Sequence, residues 1–201
     1  LGVKVTVVEM LDRVLGPLDK DITDFVEAEL KKNGVELVLG VKVESIEPGL
    51  KVNYVSVKDG AKGTAEGDVV LMAGGRAPNT KDVGLDTIGV KMDRKGFVEV
   101  DGLCRTNVPG VYAIGDINGK MQLAHVASAQ GLLVADHIAG KPCKQLNLNR
   151  IPSCVYCNPE TAMVGLTEEQ ARTAGKNVGT GVFNLSGNGK ALTMGENKGL
   201  V

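Results

Sequence analysis

The sequence has 201 residues, of which 43% are apolar and 23% charged, enough apolar material for a buried core in one or two domains. Basic and acidic residues number 23 and 24 and leave a net charge of −1, which gives no electrostatic signature of binding to nucleic acid or to an anionic membrane. No apolar run approaches the roughly 18 residues of a membrane-spanning helix, and four cysteines do not make a disulfide scaffold.

The first half of the chain predicts a strand–helix–strand unit followed by an antiparallel meander. A nearly continuous β-branched run over residues 3–9 indicates a buried parallel strand. A helix is expected from Asp19 or Asp21 to about residue 33, because apolar residues recur there at helical spacing and Gly34 follows. Turn signals separate four further predicted strands, at residues 35–39, 41–46, 52–57 and 68–73.

The second half of the chain is richer in loops. A Gly-Gly-Arg-Ala-Pro-Asn-Thr turn occupies residues 74–80, and one strand is predicted in the loops after it, at residues 97–100. Residues 112–116 are predicted as a buried strand that ends on an acid, and residues 123–139 as a helix closed by Gly140. The 27 glycines lie between β-branched runs, which favours tight turns and close backbone approach to a ligand over disorder.

A new pattern begins at Ile151. It predicts strands at residues 153–156 and 162–165, and then a helix capped by Thr167, with Gln170 in the position of a capping box. Strand pieces are expected at residues 192–194 and 200–201.

Both ends of the sequence are abrupt. Gly2 directly precedes the first strand, in the way that a glycine ends a helix. The last residues stop on the second of two strand pieces. We therefore expect the sequence to be an internal part of a longer protein.

Two acids at predicted strand ends are candidates for binding a nucleotide cofactor. Glu9 follows the first strand, and open α/β sheets bind nucleotides at the carboxyl ends of their strands. An acid there accepts hydrogen bonds from the adenosine ribose and repels the 2′-phosphate of NADP. Asp116 follows Gly115 at another strand end and could accept a hydrogen bond from the ribityl chain of a flavin. Glu9 could equally be a solvated strand-end charge, and Asp116 a turn or helix-cap residue.

The start of the second long helix is a further candidate site. Free backbone N–H groups there can face a ring carbonyl or an anion. The residues concerned are Gln122, Leu123, Ala124 and His125. A lone histidine is more commonly structural than catalytic, and His137, near the end of the same helix, is expected to be exposed.

Cys154 and Cys157 form a CxxC pair, which could be a dithiol or half of a zinc site. Zinc normally requires four ligands, whereas Cys104 and Cys143 stand alone in the sequence. The pair also lies in a predicted strand, not at a helix N-terminus that would lower a thiol pKa. We therefore expect an inert pair and no metal site.

Six motifs occur in register along the chain. They are VTVVE at residues 5–9, GGRAPNT at 74–80, VPGVYAIGD at 108–116, LAH at 123–125, PSCVYCNPE at 152–160 and VGLTE at 164–168. Together they resemble the flavin-dependent pyridine nucleotide-disulphide oxidoreductases over essentially the whole chain. The resemblance is closest to those members that oxidise dihydrolipoamide.

The resemblance implies FAD and NAD as cofactors and suggests which residues contact them. Glu9 would bind the NAD ribose, with Val43 near the adenine and Gly75 near the nicotinamide. Asp116 would contact the ribityl chain of FAD. The isoalloxazine ring would be surrounded by Gln122, Leu123, Ala124 and His125.

The implied fold is α/β, with Rossmann-like FAD- and NAD(P)-binding domains of three layers and an antiparallel meander, followed by the start of an α+β dimerisation domain. The expected boundaries are residues 1–80 for the second half of the NAD domain, 81–149 for the returning part of the FAD domain and 150–201 for the dimer interface. Two residues depart from the pattern, namely Ala77, where a second basic residue is common, and Cys157, where threonine is usual. They leave the subfamily and the metabolic pathway open.

The activity implied for the parent protein is oxidation of a dihydrolipoyl group through a redox disulfide and FAD, with reduction of NAD⁺. In the family pattern, both glycine fingerprints and the redox disulfide precede Leu1, and a His–Glu acid/base pair follows Val201. We therefore expect no catalytic residue within the chain, and no activity from the chain alone.

The implied partners are a second copy in a homodimer and the dihydrolipoyl group of a carrier protein, in a 2-oxo acid dehydrogenase or glycine cleavage complex. Neither nucleic acid nor a membrane is expected as a partner, and the expected location is cytoplasmic. The alternatives are another family member, such as an NADH oxidase or a mercuric reductase, and a non-catalytic scaffold that uses only its interface segment.

Overall fold

The computed structural model describes residues 2–201, which fold as two separate units. The first unit contains the residues up to Met72 together with Cys154–Val201, and the second contains Ala73–Ser153. The first unit therefore joins the two ends of the chain, and the second is one continuous stretch of it.

The first unit begins with the predicted strand–helix–strand arrangement. Strand β1 (Thr6–Val8) pairs in parallel with β2 (Glu36–Val38), and helix α1 (Lys20–Lys32) connects them. The helix ends before Gly34, whose φ of 83° lets the N–H of Val35 reach the carbonyl oxygen of Leu30 at 3.0 Å. The fully buried side chains of the helix are Thr23 and Val26.

An antiparallel meander follows, formed by β3 (Val41–Glu47), β4 (Lys51–Ser56) and β5 (Lys62–Glu66). The meander confirms the sequence-based expectation, but its third strand was not predicted. The strand predicted at residues 68–73 is wrong. Val69 and Leu71 are 83% and 86% exposed, and no strand among residues 2–201 lies beside that segment to pair with its backbone.

The second unit is built around a small apolar cluster of Val90, Val98 and Ala113. The strands predicted at residues 97–100 and 112–116 are wrong. Each segment makes only one isolated bridge and no continuous strand pairing. Residues 97–100 form only an isolated bridge through Val98, and residues 112–116 run from a bridge at Tyr112 into a 3-10 helix, Gly115–Asn118. Helix α2 (Ala124–Ile138) confirms the predicted helix. No helix among the described residues is both long enough and apolar enough to cross a membrane.

The C-terminal segment contains a two-stranded sheet and two short helices. Strands β6 (Ser153–Val155) and β7 (Thr161–Met163) pair, and α3 (Glu168–Thr173) begins at a complete capping box, as predicted. The strand piece predicted at residues 192–194 is wrong, because these residues belong to helix α4 (Gly189–Met194). The Asn188 side chain caps the start of that helix, and Gly195 ends it in a left-handed conformation.

Candidate functional site

Glu9 lies at the carboxyl end of the parallel strand pair. Its backbone N–H donates to the carbonyl oxygen of Val38 at 2.9 Å, and its own carbonyl oxygen accepts from the N–H of Val41 at 3.0 Å. The carboxylate bends back over the next turn, where Oε1 accepts from the N–H of Leu11 at 2.8 Å. Glu9 is half-buried, so a positioned carboxylate borders the edge of the sheet at which α/β folds bind nucleotides.

Val43 lies on the strand that begins at this same edge. Strand β3 starts at Val41, which is buried and hydrogen-bonded to Glu9. Val43 follows two residues later and is 39% exposed, beside a bulge in the pairing with β4 between Val43 and Ser45. A bulge bends its strand and redirects the side chains next to it. The Val43 side chain is therefore exposed two residues beyond Val41, whose N–H is bonded to Glu9 at the end of β1.

Gly75 occupies a backbone conformation that suits only glycine. Its φ is 123°, a region that residues with a Cβ rarely adopt. Space at this position is open, because no atom of the described chain lies within 4 Å of where a Cβ would be. The turn is anchored at its other end, where the buried Thr80 hydroxyl donates to the carbonyl oxygen of Gly96 at 2.9 Å.

Gly115 sets the conformation of the turn that carries Asp116. Its φ is 73°, and a Cβ added to it would lie 3.1 Å from Cβ of Ala127 on helix α2. The N–H of Gly115 donates to Oε1 of Gln130 at 2.7 Å. The same oxygen accepts from Nδ2 of Asn118 at 3.1 Å. Both amide side chains are buried, so they fix the 3-10 helix against α2.

Sequence reasoning missed Gln130 and Asn118. A signal for Gln130 is present, since it is a lone amide within the otherwise apolar middle of the predicted helix. A buried polar side chain requires partners, which predicts contact with exposed backbone groups but does not say where those groups are. Asn118 carries no comparable signal, because asparagine is common in turns.

Asp116 forms an ion pair with Arg76. The contact joins Nη2 of the guanidinium to Oδ2 of the carboxylate. The two side chains are 64% and 41% exposed, so the pair is accessible to solvent. Oδ1 of Asp116 has no hydrogen-bond partner among residues 2–201. The structure therefore joins the glycine turn at Gly75 to the acid predicted for flavin binding, within one unit of the fold.

The first turn of α2 presents backbone donors. The N-cap residue, Leu123, has an extended conformation, and no side chain caps the helix. The N–H groups of Ala124 and His125 make no hydrogen bond within the described chain. The His125 ring contacts the chain after the helix, where Nε2 lies 2.9 Å from the carbonyl oxygen of Pro152. Gln122 and Leu123 are half-buried directly before these donors.

The four cysteines are free thiols. Cys154 is exposed, and the Cys157 thiol lies 2.9 Å from the carbonyl oxygen of Pro159. Burial raises the pKa of the Cys104 thiol, and the nearby Asp101 carboxylate raises it further. Among residues 2–201, no three His, Cys, Asp or Glu side chains lie close enough together to hold a metal ion.

The chain matches two models of one protein family. The model described as pyridine nucleotide-disulphide oxidoreductase matches residues 1–131, and the dimerisation domain of the same family matches residues 151–201. The chain therefore belongs to the pyridine nucleotide-disulphide oxidoreductases, which confirms the resemblance and the Rossmann-like α/β class. Membership implies FAD and NAD(P) as cofactors.

Curated relatives align with the entire chain. It is 43% identical over 202 residues to a dihydrolipoyl dehydrogenase of Mycobacterium tuberculosis, and 38% identical over 204 residues to one of Rhizobium etli. The aligned regions make up 44% and 42% of these two relatives. The chain thus spans less than half the length of the curated relatives it matches.

Solved structures of similar fold are also more than twice as long as this chain. LpdA of Mycobacterium tuberculosis superposes with a TM-score of 0.85 at 31% identity, over 99% of this chain and 43% of that one. The HOCl-induced flavoprotein disulfide reductase RclA of Escherichia coli gives a TM-score of 0.83 at 27% identity, over 99% and 45%.

Proposed function

We propose that this chain forms part of a dihydrolipoyl dehydrogenase, an enzyme that oxidises a dihydrolipoyl group and reduces NAD⁺. The observation that carries the proposal is the alignment of the whole chain with curated dihydrolipoyl dehydrogenases at 38–43% identity. The local geometry supports roles in holding two cofactors, because its positioned groups are hydrogen-bond acceptors and donors at turns and not a nucleophile with an adjacent base.

In this proposal, Asp116 accepts a hydrogen bond from a hydroxyl group of the ribityl chain of FAD. Its support is the open Oδ1 atom of a carboxylate whose turn is fixed by Gly115. The backbone donors of Ala124 and His125 face the polar edge of the isoalloxazine ring, and Gln122 and Leu123 border it. Free N–H groups at a helix start suit ring carbonyl oxygens, and the observed donors fit such a group.

Glu9 and Val43, both in the first unit, bind the adenosine part of NAD in this proposal. Glu9 accepts hydrogen bonds from the adenosine ribose and disfavours a 2′-phosphate, since two negative groups would then be adjacent. Its fit is supported by the Oε2 atom, which has no partner among the described residues. Val43 offers an exposed apolar side chain for the adenine, and the open space at Gly75 leaves room for a ligand beside the backbone.

FAD, when bound, supplies the transfer of electrons between a disulfide and the nicotinamide. The residues described above bind and orient the cofactors, and none of them is assigned a covalent or proton-transfer step. We propose that residues 1–80, 81–149 and 150–201 contribute to the NAD, FAD and interface domains. The match of residues 151–201 to a dimerisation domain supports a homodimer. A cytoplasmic location and a lipoyl-bearing carrier, in a 2-oxo acid dehydrogenase or glycine cleavage complex, complete the proposal.

A second candidate function is that of another flavoprotein disulfide reductase. The fold similarity to RclA favours it, because that protein also covers 99% of the chain. Ala77 and Cys157, which depart from the common family pattern, fit either alternative. A non-catalytic interface role is a third reading, and it predicts a protein that binds no flavin.

The test measures the flavin content of the intact gene product that contains these residues and compares its activity on dihydrolipoamide with its oxidation of NADH by other acceptors. We expect it to purify with FAD and to reduce NAD⁺ with dihydrolipoamide. Oxidation of NADH by oxygen or by Hg(II), with little activity on dihydrolipoamide, would assign the second function. Absence of flavin from the folded protein, even after incubation with FAD, would favour the interface role.

A further inference from the structure

The ion pair between Arg76 and Asp116 connects two loops that are forty positions apart in sequence. The Arg13–Glu169 pair also joins distant parts of the sequence, whereas the Arg105–Asp101 and Arg172–Glu168 pairs join residues four positions apart. Ion pairs between residues four positions apart depend only on the local helix or turn. The Arg76–Asp116 pair instead requires the glycine turn and the 3-10 helix to be placed next to each other.

The backbone of Asp116 is fixed, whereas its side chain depends on Arg76. Gly115 is held by Gln130, and the carbonyl oxygen of Asp116 accepts from the N–H of Gly119 at 3.1 Å. The carboxylate itself is 41% exposed, and Arg76 is its only partner among residues 2–201. Without the guanidinium, the side chain would be free to change rotamer, and a ligand would have to order it on binding.

The two carboxylate oxygens differ in their contacts. Oδ2 receives the guanidinium, and Oδ1 is open. The turn that carries Arg76 is anchored four residues further on, where the Thr80 hydroxyl donates to the carbonyl oxygen of Gly96. A guanidinium remains charged at any working pH, and its planar fork orients a carboxylate better than an ammonium does.

We propose that Arg76 is a positioning residue of the flavin site: it holds Oδ2 of Asp116 and thereby aims Oδ1 at a hydroxyl group of the ribityl chain. The inference rests on the proposed role of Asp116. It assigns Arg76 no contact with the flavin. The contribution of Arg76 to FAD binding therefore passes entirely through the Asp116 carboxylate.

A double-mutant cycle on the intact gene product tests this. Apoprotein is titrated with FAD, and binding is followed by flavin fluorescence, for Arg76→Gln, Asp116→Ala and the double variant. We expect Arg76→Gln to weaken FAD binding on the order of fivefold, the upper range for an exposed ion pair. The same change in the Asp116→Ala background should have no effect. Arg76→Lys, which keeps the charge, should restore part of the loss.

Arg105→Gln is the matched control, because Arg105 pairs with Asp101 in the same unit at similar exposure. It should leave FAD binding unchanged. An equal loss in Arg76→Gln with and without Asp116 would show that Arg76 contacts the cofactor directly and would overturn the inference. The inference would also be overturned if Arg76→Gln bound FAD as tightly as the wild type while Asp116→Ala bound it more weakly. If Asp116→Ala binds FAD normally, the proposed function of Asp116 fails first, and the inference fails with it.

Discussion

The backbone N–H of Gly115 donates to the side-chain oxygen of Gln130 at 2.7 Å, and both residues are buried. This bond attaches the turn before Asp116 to the middle of helix α2. Nδ2 of Asn118 donates to the same oxygen and also to the carbonyl oxygen of Ala113, both at 3.1 Å. For the Gly115 N–H, Gln130 is the one acceptor among residues 2–201. The position of the acid therefore depends on a residue that contacts no cofactor in the proposed site.

Gln130→Leu should destabilise the protein by about 1–3 kcal/mol, since it leaves the buried N–H of Gly115 without an acceptor. Urea unfolding of the flavin-free protein measures this directly. Gln145→Leu makes the same chemical change at an exposed position and should have little effect on the free energy of unfolding. Equal stability of Gln130→Leu and wild type would mean that the bond does not hold the turn.

Gly115→Ala should be more destabilising than Gly110→Ala. Both glycines have a left-handed φ, 73° and 79°, so both variants carry the backbone cost of about 1–2 kcal/mol. Only at Gly115 would the new methyl group meet a neighbour, Cβ of Ala127 at 3.1 Å, whereas Gly110 faces open space. The difference in unfolding free energy between the two variants isolates the close contact, and a difference of zero would show that helix α2 yields without cost.

Glu9→Arg in the intact protein should shift cofactor preference from NAD towards NADP. The wild type should prefer NAD, because the carboxylate opposes a 2′-phosphate, whereas an arginine accommodates it. We expect the ratio of kcat/KM values for the two nucleotides to change by at least about tenfold, or about 1.4 kcal/mol.

Glu36→Arg is the control for Glu9→Arg. It reverses the same charge in β2 of the same unit, and its carboxylate already has other partners, Thr6 and Lys4. The nucleotide ratio should stay as in the wild type. A native preference for NADPH, or an equal shift in both variants, would contradict the assignment of Glu9.

Alkaline pH should destabilise the fold partly through Cys104. Burial raises the pKa of this thiol above its ordinary value of 9.0, so the folded state keeps the proton that the unfolded state loses. The resulting stability is fully present below pH 9.0 and is lost as the pH rises through the folded-state pKa.

Urea unfolding at about pH 8 and about pH 10 measures this linkage. Cys104→Ala should lose less stability between the two pH values than the wild type does. Cys154→Ala, at an exposed thiol, should lose as much as the wild type. An identical pH dependence in all three proteins would contradict the assignment to Cys104.

The sequence predicts a helix correctly where the spacing of apolar residues or the residues at its ends indicate the same structure. Helix α1 has apolar spacing, an acid at its start and Gly34 after its end, and α3 has a complete capping box. The sequence predicts a strand within helix α4, because Leu192, Thr193 and Met194 are too few to show a helical period and the cap, Asn188, lies four residues before Leu192. Short apolar runs of this kind do not distinguish helix from strand.

The site was predictable only in part, for a similar reason. Glu9, Gly75 and Asp116 stand in motifs whose residue types indicate strand ends and turns. Their supporting contacts are made at long range, and no local pattern encodes them. Gln130 reaches Gly115 across fifteen positions, and Arg76 reaches Asp116 across forty. The folded chain is needed to see which polar groups satisfy one another.

The affinity of Asp116→Ala for FAD tests the central claim most directly, namely that this chain supplies the flavin-binding acid of a disulphide oxidoreductase. The loss of a charge-assisted hydrogen bond costs about 1.5–3 kcal/mol. Titration of the intact apoprotein with FAD should therefore give a Kd roughly ten to a hundred times that of the wild type, with unfolding in urea unchanged. A Kd equal to that of the wild type would contradict the account and leave Asp116 as a turn residue.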